Sequence, residues 1–131
     1  MQILLDTEAL VWFLEDHPRL STRALQAIQS AATVHVSPIN FYEMANKIKI
    51  GKSIGLNRPI NDAIASSQQS GFLWLPIQEH HLVAYQSVPL FDHHRDPFDR
   101  MILAIALADG LSVVSSDHNF PLYHELVSTI W

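Results

Sequence analysis

Four acidic residues lie where an apolar run ends or close to where a helix is predicted to begin: Asp6, Glu43, Asp99 and Asp117. Asp6 follows the apolar residues 3–5 and Asp117 follows a predicted strand, whereas Glu43 and Asp99 are predicted in the first turns of helices. The ligand crevice of an open α/β sheet lies beyond the carboxyl ends of its strands, so we expect these carboxylates to converge. Several carboxylates without cysteine are typical of a site that holds a hard divalent cation.

Each of these acids also has a structural role open to it. Asp6 can cap a helix, and Glu43 lies four residues before Lys47, which permits an ion pair worth about 0.3–0.5 kcal/mol. Asp99 complements a helix dipole, and Asp117 can begin a turn. Considered together, the four favour a cation site. Two carboxylates about 5 Å apart repel by about 3 kcal/mol at an effective dielectric constant of about 20, and bound cations or protons must neutralise them.

Other catalytic chemistries have weaker support in the sequence. The eight histidines include the adjacent pairs His80–His81 and His93–His94, and neighbours in sequence rarely converge on one metal. No HExxH spacing is present, so we expect no zinc site. We place His93 and His94 in a loop, and a contact with substrate is the alternative role for them. The chain also lacks the glycine-rich phosphate-binding and nucleophile motifs of common enzyme classes.

The composition is that of an ordinary globular protein. The chain has 131 residues, which fits a single domain over 1–131, and 48% of them are hydrophobic, which is enough for a packed core. No apolar stretch is long enough for a membrane span, and the amino terminus lacks the basic segment of a signal peptide. The absence of cysteine fits a cytoplasmic protein, which is the location that we expect.

The charge distribution permits two interpretations. A net charge of −5 argues against a general nucleic-acid binder. However, all three lysines, Lys47, Lys49 and Lys52, fall in one short segment, and Arg58 follows closely. This segment is either the solvated end of a helix or a local positive patch that holds phosphate.

Strands and helices alternate along the chain, which predicts an α/β fold with helices on both sides of a parallel sheet. The second helix should begin after Ser21 and bury Ala24, Leu25, Ile28 and Ala32 on one face. The strand order cannot be read from the pattern. Strands are predicted at 3–5, 33–36, 72–75, 112–115 and 127–131, and helices at 8–15, 21–32, 38–50, 60–70, 79–86 and 97–108.

Four segments resemble, in order and spacing, the motifs of PIN-domain ribonucleases, and the third has the form seen in VapC-type toxins of bacterial toxin–antitoxin pairs. They are residues 4–12, 37–47, 94–104 and 115–120. The resemblance implies an α/β/α sandwich around a mostly parallel sheet of four or five strands. It also implies an endoribonuclease that uses Mg²⁺ or Mn²⁺, dimerises, and is inhibited by a cognate antitoxin.

The resemblance assigns roles to individual residues. The metal-site acids would be Asp6, Glu43, Asp99 and Asp117, and the supporting residues would be Thr7, Ser116 and Asp96. For the phosphates of RNA, the basic side chains Lys47, Lys49, Lys52, Arg95 and Arg100 are candidates. Two positions depart from the family pattern: Glu8 adds a further negative charge, and Asn40 stands where serine is common.

Two rival functions fit parts of the sequence. A receiver-like regulatory domain also gathers aspartates at strand ends, but the chain lacks a phosphoacceptor Asp after a middle strand and a lysine beyond Lys52. A PIN-like module that binds RNA or a partner without turnover would retain the acids for structure alone. Metal-dependent cleavage, abolished by a chelator, separates this module from the nuclease.

Overall fold

A five-stranded sheet, in which every neighbouring pair is parallel, lies at the centre of the computed structural model, which describes residues 1–131. The strand order is β3-β2-β1-β4-β5, so β1 is the middle strand. The sequence pattern predicted all five strands. β1 begins one residue earlier than predicted, β2 has the predicted bounds, and the other three strands are shorter than predicted. The observed strands are β1 Gln2–Leu5, β2 Thr33–Val36, β3 Leu73–Trp74, β4 Ser112–Val114 and β5 Thr129–Ile130.

Six α-helices and one 3-10 helix flank the sheet. The second helix ends at Ser30 because the backbone becomes extended at Ala31, so the prediction that Ala32 belongs to its buried face is wrong. None of the helices could cross a lipid bilayer. The helices are α1 Thr7–Leu14, α2 Thr22–Ser30, α3 Pro38–Lys49, α4 Ile60–Gln69, α5 Glu79–Tyr85 and α6 Pro97–Asp109, with the 3-10 helix at Phe120–Tyr123.

Two apolar cores, one on each face of the sheet, make the fold a three-layer sandwich. Side chains alternate along a strand, so Ile3 and Leu5 of β1 contribute to one core and Leu4 contributes to the other. Helices α1 to α4 supply the first core, and α6 supplies the second together with the 3-10 helix. Burial of β1 on both faces explains why its sequence is a continuous apolar run.

Polar residues cap the helices that carry the acids, two of them directly after a strand and one after a loop. Asp6 caps α1, and Ser37 caps α3 with Pro38 at the first helical position. Asp96 caps α6, again with proline next. Gly110 ends α6 in the left-handed conformation (φ 66°), which favours glycine and lets the chain turn into β4. These junctions place the acids at one edge of the sheet.

Candidate functional site

A polar cavity of about 170 Å³ opens beside the carboxyl end of β1, and no apolar residue lines it. We call it the acid cavity. It contains all four acids that the sequence predicted to converge. Its lining residues are Asp6, Thr7, Glu8, Glu43, Lys47, Asp96, Asp99 and Asp117.

Asp6 lies at the centre of this arrangement. Its backbone N–H donates to the carbonyl of Val114 in β4, and its Oδ1 accepts from the N–H of Ala9 at 2.8 Å. The capping role proposed from sequence is therefore real, yet the side chain is also buried. Burial raises the pKa of Asp6 to about 7, against hydrogen bonds from Ser115 and Ala9 that lower it.

Asp99 is half-buried in the first turn of α6. Its Oδ2 lies 3.0 Å from His94 Nε2. Burial raises the pKa of Asp99 to about 7; the His94 hydrogen bond opposes this shift, and the charges of Asp96, Asp117 and Glu43 add to it. Both Asp6 and Asp99 thus keep protons close to neutral pH in the absence of a cation.

Glu43 lies one turn further along α3 than the sequence predicted, because the first turn of that helix contains no acidic residue. Its Oε2 forms the expected ion pair with Lys47 Nζ at 2.8 Å. Burial lowers the pKa of Lys47, but the hydrogen bond and charge of Glu43 outweigh burial and raise it overall. The second oxygen of Glu43, Oε1, is buried and has no hydrogen-bond partner.

This donor set fits a hard divalent cation. An unpaired buried carboxylate oxygen costs free energy unless a cation or proton satisfies it. Burial and the charges of neighbouring acids raise the pKa of Asp6 and of Asp99, which disfavours their ionised forms. A divalent cation would relieve both problems through oxygen ligands of the kind that Mg²⁺ prefers.

Asn40 supports the acid cavity through hydrogen bonds to the backbone and to Thr7. Its Nδ2 donates to the carbonyl of Leu5 at 3.1 Å and to Thr7 Oγ1 at 3.3 Å, and its Oδ1 accepts from the N–H of Ser37 at 2.8 Å. The side chain is completely buried. Asn40 therefore joins the start of α3 to the end of β1 and holds the Thr7 hydroxyl.

The two serines that follow β4, Ser115 and Ser116, have different hydrogen-bond partners. The Ser116 hydroxyl donates to Glu8 Oε1 at 2.8 Å, at the rim of the cavity. Ser115, which the sequence analysis did not single out, is buried, and its hydroxyl accepts from the N–H of Asp117 at 3.0 Å. Asp117 in turn accepts from the N–H of Asn119 at 2.8 Å, which is the turn geometry expected from sequence.

Asp96 is the N-cap of α6. Its Oδ1 accepts from the N–H groups of Phe98 at 2.8 Å and Asp99 at 3.1 Å. Because Asp96 also lines the acid cavity, its charge contributes to the raised pKa of Asp99.

Some of the basic side chains line cavities at or beside the acids, and others lie on the exposed surface. Lys47 lines the acid cavity, and it also lines a neighbouring cavity of about 380 Å³ together with Lys52. Lys49 and Arg95 are exposed. Arg19, which sequence reasoning missed, lines this neighbouring cavity and a further cavity of about 490 Å³ that also includes Asp117.

Arg100 is not placed to hold phosphate, which corrects the expectation from sequence. It is only 5% exposed, and its guanidinium donates to the carbonyls of Pro89 at 2.6 Å and Val88 at 3.1 Å. It also lies 5.0 Å from the ring centroid of Tyr85. Arg100 therefore anchors the loop before α6.

A second group of potential metal ligands, His80, His81 and Asp109, lies outside the acid cavity. His81 Nδ1 accepts from the N–H of Gln78 at 3.0 Å, so the ring proton is on Nε2 and is donated to Asp109 Oδ2 at 2.9 Å. A protonated Nε2 cannot ligate a metal. These residues tie α5 to α6; burial raises the pKa of Asp109, but the His81 and His80 hydrogen bonds outweigh it and lower the pKa.

Comparison with known families identifies the fold and the family. The PIN domain family matches residues 3–126, which is nearly the whole chain. The chain belongs to the PIN-domain family. Among curated proteins no match was found.

Solved structures share the PIN fold of this chain at low sequence identity. VapBC2 from Rickettsia felis, bound to a DNA fragment from its promoter, aligns over 100% of this chain and 99% of its own, with 16% identity and a TM-score of 0.71. VapBC-5 from Mycobacterium tuberculosis aligns over 98% and 94%, with 14% identity and a TM-score of 0.65. FitAcB from Neisseria gonorrhoeae aligns over 98% and 96%, with 20% identity and a TM-score of 0.64.

Proposed function

We propose that this PIN-domain protein is a divalent-metal-dependent endoribonuclease that acts as the toxin of a VapC-type toxin–antitoxin pair. The observation that carries the proposal is the acid cavity, where Asp6, Glu43, Asp99 and Asp117 share one small space. The buried Glu43 Oε1 without a partner and the raised pKa values of Asp6 and Asp99 support a cation there.

The four acids would hold Mg²⁺ or Mn²⁺. When bound, such a cation supplies Lewis acidity, which makes water a better nucleophile and neutralises charge on a phosphodiester. The residues of the chain supply the rest of the site. Thr7, held by Asn40, keeps a hydroxyl at the cavity wall. Lys47 keeps a positive charge beside Glu43, which reduces the repulsion between the acids and an approaching phosphate.

The RNA would pass through the two cavities beside the acid cavity. Arg19 and Lys52 place positive charge there, and the guanidinium of Arg19 lies 5.4 Å from the ring centroid of Trp12. Basic side chains that alternate with an aromatic ring are typical of surfaces that bind single-stranded nucleic acid. Lys49 and Arg95 remain candidates for more distant phosphates.

The expected partners are a cognate antitoxin and a second copy of the chain. VapBC-5 belongs to the VapBC family of toxin–antitoxin systems. VapBC-5, VapBC2 and FitAcB have the same fold as this chain. The chain also carries apolar side chains that its own core does not cover. Among these, Tyr42 is 64% exposed and Val83 is 60% exposed. We propose that the dimer and antitoxin interfaces cover such side chains.

Growth arrest in a bacterial host tests the proposed function. We expect induced wild-type protein to arrest growth and to produce new RNA ends that can be mapped by sequencing. Asp6→Asn retains the helix cap because asparagine caps equally well, so it should fold and lose toxicity. Asp62→Asn, on the exposed surface of α4, is the matched control and should remain toxic. Equal arrest by wild type and Asp6→Asn would point to a non-catalytic PIN module.

A further inference from the structure

His94 occupies an unexpected position for a residue of a polar loop. It is 4% exposed, and the loop is pinned by the bridge between Phe91 and His94. The ring contacts Asp99 on one side and Tyr123 on the other. His94 is not among the residues that line the acid cavity, although it contacts Asp99, which does line it.

Both ring nitrogens of His94 have a defined partner. Nε2 lies 3.0 Å from Asp99 Oδ2, and the ionised Asp99 that would bind a cation can only accept, so in that form Nε2 carries the proton that is donated. Nδ1 of the neutral ring then accepts from the Tyr123 hydroxyl at 2.7 Å. Tyr123 is 2% exposed, and its position is fixed by packing against Phe91. The chain of donors runs from Tyr123 through His94 to Asp99.

We propose that Tyr123 and His94 are positioning residues that orient Asp99 for the divalent cation. This inference rests on the proposed function of the acid cavity. The Tyr123 hydroxyl selects the ring tautomer whose Nε2–H fixes Asp99 Oδ2. The other oxygen of Asp99 is left for the cavity. Outer partners of this kind fix ligand orientation, and their loss typically weakens metal binding about 10–100-fold.

A direct role for His94 as a metal ligand is the competing interpretation. The ligand atoms of His94, Asp99 and Asp117 lie within 4.8 Å of one another. However, a ligating Nε2 has no proton to donate, and the contact with Asp99 would be lost. The absence of His94 from the cavity lining also argues for a positioning role.

Calorimetric titration with Mn²⁺ tests the proposal on the purified full chain. We expect Tyr123→Phe, which removes only the hydroxyl, to bind Mn²⁺ about tenfold more weakly than wild type. Tyr85→Phe is the matched control, because the Tyr85 hydroxyl contacts Arg100 at 3.4 Å and not the acids, and it should bind Mn²⁺ like wild type. Urea unfolding of both variants verifies that each remains folded.

Two further measurements separate the possible failures. His94→Gln keeps an N–H donor and should bind Mn²⁺ more tightly than His94→Leu, which has none. Pulsed electron paramagnetic resonance of the Mn²⁺-loaded wild type should show no directly coordinated imidazole nitrogen. Unchanged affinity in Tyr123→Phe, or a coordinated nitrogen, would overturn the positioning role while leaving the proposed function intact. Failure of the wild type to bind Mn²⁺ would overturn both.

Discussion

The buried carboxyls of the acid cavity link ionisation to stability. The pKa of Asp6 and of Asp99 is raised to about 7, well above the value of an unfolded chain. A raised folded-state pKa means that the native protein binds more protons than the unfolded chain does. The stabilisation from this proton binding is fully present below the unfolded pKa of about 4, and it is lost as the pH rises through about 7.

Replacing one of these acids should therefore stabilise the metal-free protein. We expect Asp99→Asn to increase the free energy of unfolding by about 1–3 kcal/mol at pH 8 and by much less at pH 5. Asparagine keeps an acceptor for His94 and removes the charge. Urea unfolding in the presence of a chelator measures this difference, and Asp62→Asn is the control. A loss of stability at pH 8 would contradict the account.

The sequence predicted the acids of this site more completely than the residues that support them. Asp6, Glu43, Asp99 and Asp117 could be chosen because strand ends and helix starts converge in an α/β sheet. The role of His94 could not be predicted, because its partner Tyr123 is 29 positions away and only the tertiary fold brings the two together. Arg100 was wrongly predicted to hold phosphate for the same reason, because its guanidinium donates to the carbonyls of Pro89 and Val88 in the preceding loop.

At the scale of elements, helix caps made the prediction of secondary structure accurate. Helices α3 and α6 begin at the predicted residues, Pro38 and Pro97, each directly after a capping residue, Ser37 or Asp96. The strand order was not predictable, because all five strands are short and nothing in their sequences specifies which strand lies beside which. The tie between α5 and α6 was also missed, since it depends on how Asp109 faces His80 and His81 across two helices.

Asn40 joins the start of α3 to the end of β1, and a single substitution tests how much this connection stabilises the protein. Asn40→Ala should cost about 2–4 kcal/mol of stability, because it removes three buried hydrogen bonds and leaves backbone groups of Leu5 and Ser37 unpaired. Asn46→Ala makes the same substitution at an exposed position of α3 and should cost much less. Equal losses in urea unfolding for the two variants would show that the junction contributes little.

At the scale of the whole molecule, the acidic net charge conceals a local basic surface. The chain carries a net charge of −5, yet Arg19, Lys47 and Lys52 line the cavity of about 380 Å³ beside the acids. Such an arrangement can attract a phosphate backbone locally while the remaining surface repels it. The proposed RNA binding therefore depends on where the few basic side chains lie, and the net charge is a poor guide to it.

Removal of the positive charges of Arg19 and Lys52 should weaken RNA binding without affecting the metal site. We expect the double variant Arg19→Gln, Lys52→Gln to bind single-stranded RNA more weakly and to show a salt slope shallower by about one to two. Its affinity for Mn²⁺ should be unchanged. Arg23→Gln, at an exposed position of α2, is the control for charge alone. An unchanged salt slope in the double variant would place the RNA on another surface.

We propose that the acid cavity uses a divalent cation to cleave RNA, and a cleavage assay tests this proposal most directly. Purified wild type and Asp99→Asn are incubated with labelled RNA in Mg²⁺ or Mn²⁺, and again after chelation. We expect discrete cleavage by wild type that requires the cation. The rate should fall at least about 100-fold in Asp99→Asn, because loss of a metal-site acid removes several kcal/mol of transition-state stabilisation. Equal cleavage by both proteins, or cleavage that survives chelation, would contradict the proposal.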